Sequence, residues 1–188
     1  MVTPIPHELM TLDDWDALPE DNSAQYELQD GVLVVSPKPA LRHQEAQLEL
    51  AVQIRQQLPR DHQVVGDFEL VVKAGPPPTV RAPDLIVIPR GGPQKRAETN
   101  AVRIAIEIIS PGSRSTDKHL KVVEYAEAGI PWFWLVDLDP PAPTITVFGF
   151  GAPDDGYVES QTAVGELVVR EPFPLRIDIG MLLGPASW

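Results

Sequence analysis

Short apolar runs separated by prolines and glycines dominate the chain, and three segments with helical spacing interrupt them. Runs of this length bounded by turn residues predict strands. The main ones are "VVGDFELVV" (64–72), "RAPDLIVI" (81–88), "VRIAIEIIS" (102–110) and "PWFWLVDLD" (131–139). Shorter strands are expected in "TITVFGF", "YVESQT" and "ELVVR". "YELQDGVLVV" (26–35) is two runs around Asp30-Gly31, a dipeptide suited to a tight hairpin. In "TLDDWDAL", Thr11 precedes Asp14 by three residues, the pattern of a capped first helix. The segment 40–58, "ALRHQEAQLELAVQIRQQL", predicts a long helix with Leu41, Leu48, Ala51, Val52 and Leu58 near one face. A third helix is expected to begin near Asp117, capped by Ser115 or Thr116, and to stop at Gly129.

The order is helix, hairpin, helix, strands, helix, strands. It predicts an α/β (α+β) domain on one mixed central sheet flanked by helices. Residues 101–138 should form a right-handed parallel crossover. No repeat or domain boundary interrupts the pattern, so residues 1–188 are expected to fold as a single domain.

Composition adds limits. Of the 188 residues, 43% are hydrophobic and 22% charged, as in ordinary globular proteins. Without cysteine there are no disulfides or thiolate metal ligands. The start of the chain has no basic region followed by an apolar run, and no stretch is long enough to span a bilayer, so a cytoplasmic location is expected. The net charge of −12 argues against indiscriminate binding to nucleic acid. Its distribution is uneven. Residues 1–30 hold eight acids and no Lys or Arg, and residues 122–188 hold ten acids against two bases. Residues 31–121 hold thirteen Lys and Arg against nine acids, a local balance of +4.

Candidate chemistry lies in that basic segment. Glu107 interrupts Ile104, Ala105, Ile106, Ile108 and Ile109, a run suited to a strand buried on both faces. An unpartnered buried carboxylate costs several kcal/mol, so Glu107 should meet a proton, a basic side chain or a metal ion. Asp84 opens the apolar run 85–88 directly after Pro83. Two adjacent strands with one inward acid each would bring the carboxylates together, so that they need a compensating cation or one must hold a proton. Two acids without cysteine favour Mg²⁺ or Mn²⁺ over zinc. Asp117, Lys121 and Tyr125 recur every four residues, roughly one helical stripe. The preceding loop carries Ser110, Ser113, Arg114, Ser115 and Thr116, and with the helix start it forms a plausible anion-binding corner.

At these residues the chain resembles the Uma2 (DUF820-type) family, a bacterial group in the PD-(D/E)XK nuclease superfamily. The resemblance runs from "YELQDGVLVVSPKPALRHQEA" through "APDLIVI" to "IEIISPGSRSTDKHLKVVEYAEAGIPWFWLVD". Its specific part is Glu, Ser-Pro, Asp-x-x-x-Lys-x-x-x-Tyr and Gly-Ile-Pro before an aromatic strand. It implies a restriction-endonuclease-like core in which Asp84, Glu107 and the Ile108 carbonyl hold the metal. The superfamily's lysine follows its acid after one residue, a position held here by Ile109. Lys121 looks like its relocated substitute.

Plainer roles compete with these. Glu107 is also explained as a structural acid paired with Arg103 or Lys121, Asp84 as a turn cap, and Lys121 as a solvated partner of Asp117. Glu27 is a third metal ligand, a water-orienting base or a surface hairpin acid. His43 shares a stripe with Gln47, Leu50 and Ile54, as a phosphate contact, a proton carrier near neutral pH or a packing histidine. For Tyr125, and for Trp132 and Trp134, core burial is the stronger reading. The leading expectation is a Mg²⁺-dependent endonuclease acting on nucleic acid, DNA first, as a homodimer. The alternative is a nuclease-like fold that no longer cuts and serves as a binding or regulatory protein.

Overall fold

The computed structural model describes residues 9–19, 21, 23–92, 94–110, 119–139, 141–151 and 155–184. The first helix, α1 (Leu12–Asp16), starts with the expected box, in which the Thr11 and Asp14 side chains each bond the other's backbone N–H. The hairpin β1 (Gln25–Gln29) and β2 (Val32–Ser36) turns through Asp30 and Gly31, both at positive φ, the backbone that Asp-Gly supplies.

The long helix α2 (Leu41–Gln57) follows. Its buried face is His43, Ala46, Leu50 and Ile54, and of the stripe expected Ala51 and Leu58 pack against the same core. Leu41, Leu48 and Val52 point outward, with Leu41 71% exposed. The helix carries two apolar stripes, and packing on the sheet selects the one containing His43.

Two of the long runs are each divided between sheets. "VVGDFELVV" becomes the end of β3 (His62–Gly66) and most of β4 (Leu70–Lys73), with Asp67 at φ +48° between them. "RAPDLIVI" gives the last residue of β5 (Thr79–Arg81), then β6 (Leu85–Pro89) beyond Pro83. Next come β7 (Ala97–Glu98), β8 (Ile104–Ile108), helix α3 (Lys121–Glu127) and β9 (Trp132–Asp137). Gly129, at φ +76°, lies just beyond α3, where a helix stop needs a left-handed residue. The chain continues through β10 (Thr144–Phe150), β11 (Tyr157–Val164), β12 (Glu166–Val169) and β13 (Leu175–Asp178).

In place of one sheet, the described strands form three. A mixed six-stranded sheet has the order β11-β10-β9-β8-β6-β3, and a five-stranded one the order β2-β1-β5-β4-β7. The β12–β13 hairpin stands apart. Strands β8 and β9 pair in parallel, as the crossover requires, and β6 runs antiparallel to β8. The six-stranded sheet is covered on both faces. On one, Ile104, Ile106 and Ile108 pack with α2 and with the β12–β13 hairpin. On the other, Ala105, Ile109 and Phe133 pack with Tyr125 of α3 and with Leu70 and Ala97 of the second sheet. Trp134 is fully buried in the first core and Trp132 packs against it, so both tryptophans are structural. No described helix is long and apolar enough to cross a membrane.

Candidate active site

Strand alternation decides where Glu107 points. Ile104, Ile106 and Ile108 face α2, so the residue between the last two faces α3. There its Oε1 meets the Lys121 Nζ at 2.9 Å and accepts a hydrogen bond of 2.7 Å from the Tyr125 hydroxyl. Lys121 and Tyr125 are one turn apart on α3 and reach the same oxygen. Burial, with the Glu107 charge beside it, pushes the Tyr125 hydroxyl well above its ordinary pKa, so it remains a donor. Among the three partners open to Glu107, the fold supplies a basic side chain.

Asp84 lies at the mouth of the same sheet. The β6–β8 register pairs Leu85 with Ile106, and one further step sets Asp84 opposite Glu107. Its Oδ2 accepts from the Ile108 N–H at 2.6 Å, and its Oδ1 lies 2.8 Å from His43 Nε2. His43 therefore holds a carboxylate and does more than pack α2. Gln47, one turn along α2, donates to the Asp84 carbonyl at 2.8 Å and fixes the backbone before β6.

The five-stranded sheet contributes a third group. Glu27 of β1 accepts from Arg81 Nη1 at 3.0 Å and from the Ala82 N–H at 3.3 Å, and lies 3.4 Å from Lys121 Nζ. Burial pushes its carboxyl up, but the Lys121 and Arg81 charges and the Ala82 N–H outweigh this and hold it below its ordinary value. Arg81 is 1% exposed and also grips Glu124 of α3 with Nε and Nη2, at 2.9 and 2.7 Å. Burial pulls the guanidinium down, but the hydrogen bond to Glu124 and the charges of Glu27 and Glu124 raise it overall, so it stays charged.

These elements enclose a cleft of about 610 Å³. Asp84, Glu107, Ile108, Lys121, Glu27 and His43 all line it, and Lys38 and Arg42 add cations. Tyr125 is fully buried and bonds Glu107. Asp117 and most of the loop before α3 lie outside the described residues. Arg103 does not compete for Glu107, since its side chain bonds the Asn100 carbonyl. Arg81 and Glu124 were not singled out from sequence. Glu124 sits three residues after Lys121, a spacing that puts it on the neighbouring helix surface. Arg81 carried no local signal, because its partners are 54 and 43 residues away.

The donor set suits a hard cation. Two carboxylates and a backbone carbonyl offer oxygens alone, which match Mg²⁺ or Mn²⁺ better than thiophilic metals. Among the described residues no trio of His, Asp or Glu side chains gathers around one point. Two carboxylates and one carbonyl leave coordination positions that an ion such as Mg²⁺ fills with waters.

The family comparison agrees with the fold. The sequence model described as "Uma2: Putative restriction endonuclease" matches residues 12–181. A solved structure titled as "a putative nuclease belonging to DUF820 from Anabaena variabilis ATCC 29413" superimposes with a TM-score of 0.66. It is 23% identical, and the alignment covers 93% of this chain and 97% of that one, a likeness of fold. Among curated proteins no match is found.

Proposed function

The chain belongs to the Uma2 family, and from that premise we propose that it is a single-domain, metal-dependent endonuclease that hydrolyses phosphodiester bonds of DNA. The observation that carries this reading is the 2.9 Å contact between Lys121 and Glu107. A helix delivers to the buried acid the charge that Ile109 does not supply. Asp84, Glu107 and the Ile108 carbonyl would hold Mg²⁺ or Mn²⁺, while Glu27 is engaged by Arg81 and the Ala82 N–H. A bound cation of this kind polarises the scissile phosphate and makes its water more acidic.

The chain's own groups do the rest. His43 and the Ile108 N–H orient Asp84, and Tyr125 orients Glu107. Lys121 holds the attacking water or stabilises the negative charge that builds on the phosphate, a role in which one fixed donor matters greatly. One small domain reaches one strand of a duplex, so a symmetric dimer would serve double-strand cleavage. Purified protein should nick plasmid DNA with Mg²⁺ or Mn²⁺, and Asp84→Ala should not. Equal cleavage by both proteins would remove the nuclease assignment.

One observation favours the non-cutting alternative: protein donors already engage Asp84 and Glu107. Calorimetric titration with Mn²⁺ separates the two. Heat of binding that Asp84→Ala abolishes supports the nuclease, and silence at millimolar metal supports a binding protein.

A further inference from the structure

Arg81 is the most deeply buried charge in the cleft, and the proposed chemistry does not use it. A guanidinium out of water costs several kcal/mol unless its donors are met. Here they are met from two directions. Glu27, on β1, takes one donor at 3.0 Å, and Glu124, on α3, takes two in a fork. Those two acids flank Lys121. Glu27 lies 3.4 Å from its ammonium, and Glu124 is three residues along the same helix. Arg81 thus ties the five-stranded sheet to α3 at the point where α3 presents its lysine to Glu107.

We infer that Arg81, with Glu124, is a positioning residue: the Glu27–Arg81–Glu124 bridge fixes where α3 lies and so holds the Lys121 ammonium against Glu107. This rests on the nuclease reading and assigns two residues that it leaves without a role. Geometry separates the inference from a merely structural ion pair. The fork needs a planar guanidinium, which lysine cannot imitate, although lysine keeps the charge. Small displacements of a reacting group are costly in rate even when binding is intact.

Arg81→Lys should therefore lower kcat for Mn²⁺-dependent plasmid nicking on the order of 10- to 100-fold, the range for residues that orient a site. KM should stay within about twofold, since substrate contacts are untouched. Mn²⁺ affinity by calorimetry should not change. Glu124→Gln, which removes the other half of the bridge, should do the same and decides the matter if Arg81→Lys does not fold. Wild-type kcat in the folded variants would overturn the inference, as would a loss confined to KM or to metal affinity. A readout independent of cleavage comes from reductive methylation of lysines followed by mass spectrometry. Lys121 should be protected in the wild type and label severalfold faster in either variant. If the wild type does not cut, the nuclease reading fails, and this labelling alone still decides the positioning. Equal labelling of Lys121 in all three proteins would sink it.

Discussion

The ion pairs of the cleft and those of the surface are built from the same residue types at the same lengths. Arg81 meets Glu124 at 2.7 Å, and Arg176 of the β12–β13 hairpin meets Glu166 at 2.7 Å. In the first pair the side chains are 1% and 14% exposed, and in the second 66% and 49%. Distance does not rank them; burial does. The exposed pair exchanges hydration for a screened attraction and gains little. The buried group has given up its water, so each charge depends on the others, and losing one strands the rest. A buried ion pair is nevertheless weak evidence for stability, because well-packed apolar residues often do as well. Its concentration beside Asp84, in a cleft open to solvent, therefore argues for chemistry.

Removing Lys121 should have the largest effect on function. Lys121→Ala takes away the fixed cation and should cut cleavage on the order of 10³-fold, the upper range for one preorganised donor. It should spare Mn²⁺ binding, since the acids hold the metal. Arg should rescue poorly, being a planar fork in place of a compact charge. Cleavage at the wild-type rate would end the idea of a relocated lysine.

For stability the sharpest case is Arg81→Leu, which leaves Glu27 and Glu124 facing each other without their shared cation. The expected loss is about 3–5 kcal/mol by urea unfolding, the cost of breaking a buried pair from one side. A loss below about 1 kcal/mol, the scale of surface pairs, would show that the cleft is wetter than its geometry implies.

A gentler probe is acid. Lys121, Arg81 and the Ala82 N–H together overcome burial and hold Glu27 below its ordinary pKa. The unfolded chain therefore binds that proton first as pH falls. Glu27 contributes stability above the ordinary carboxylate range and loses it as pH drops through its lower folded value. Unfolding free energy followed from neutral pH into the acid range should decline more steeply for the wild type than for Glu27→Gln. Parallel curves would mean that the Glu27 charge is not coupled to folding.

Much of this architecture is legible in the chain because its signals are local. The Thr11–Asp14 box, the Asp30-Gly31 turn and the stop at Gly129 all form as expected. Strands β8 and β9 pair in parallel as expected, and Glu107 meets Lys121, one of the two bases named for it. What failed depends on distant choices. Helix α2 has two apolar stripes, and only the sheet can choose between them. The runs 64–72 and 81–88 look continuous, yet each changes sheet, at Asp67 and at Pro83. Arg81 was invisible for the same reason: its meaning lies in β1 and α3, and nothing in "TVRAPD" says so.

The smallest predicted effect tests the other side of the comparison. In the β12–β13 ladder, Val168 pairs with Arg176 and Glu166 with Asp178, so Arg176 reaches Glu166 diagonally. One guanidinium nitrogen, Nη1, contacts both carboxylate oxygens, at 2.7 and 2.8 Å. The fork that makes Arg81 specific is absent. The backbone of Arg176 is secured independently, since Gln57 of α2 accepts from its N–H and donates to its carbonyl. Arg176→Ala should therefore keep the hairpin docked on α2 and cost about 0–1 kcal/mol, the ordinary range for an exposed pair. Whatever loss appears should vanish in high salt, where exposed charges are screened. A salt-insensitive loss above about 2 kcal/mol would mean that the hairpin charge is coupled to the fold, and burial would no longer separate the two regions.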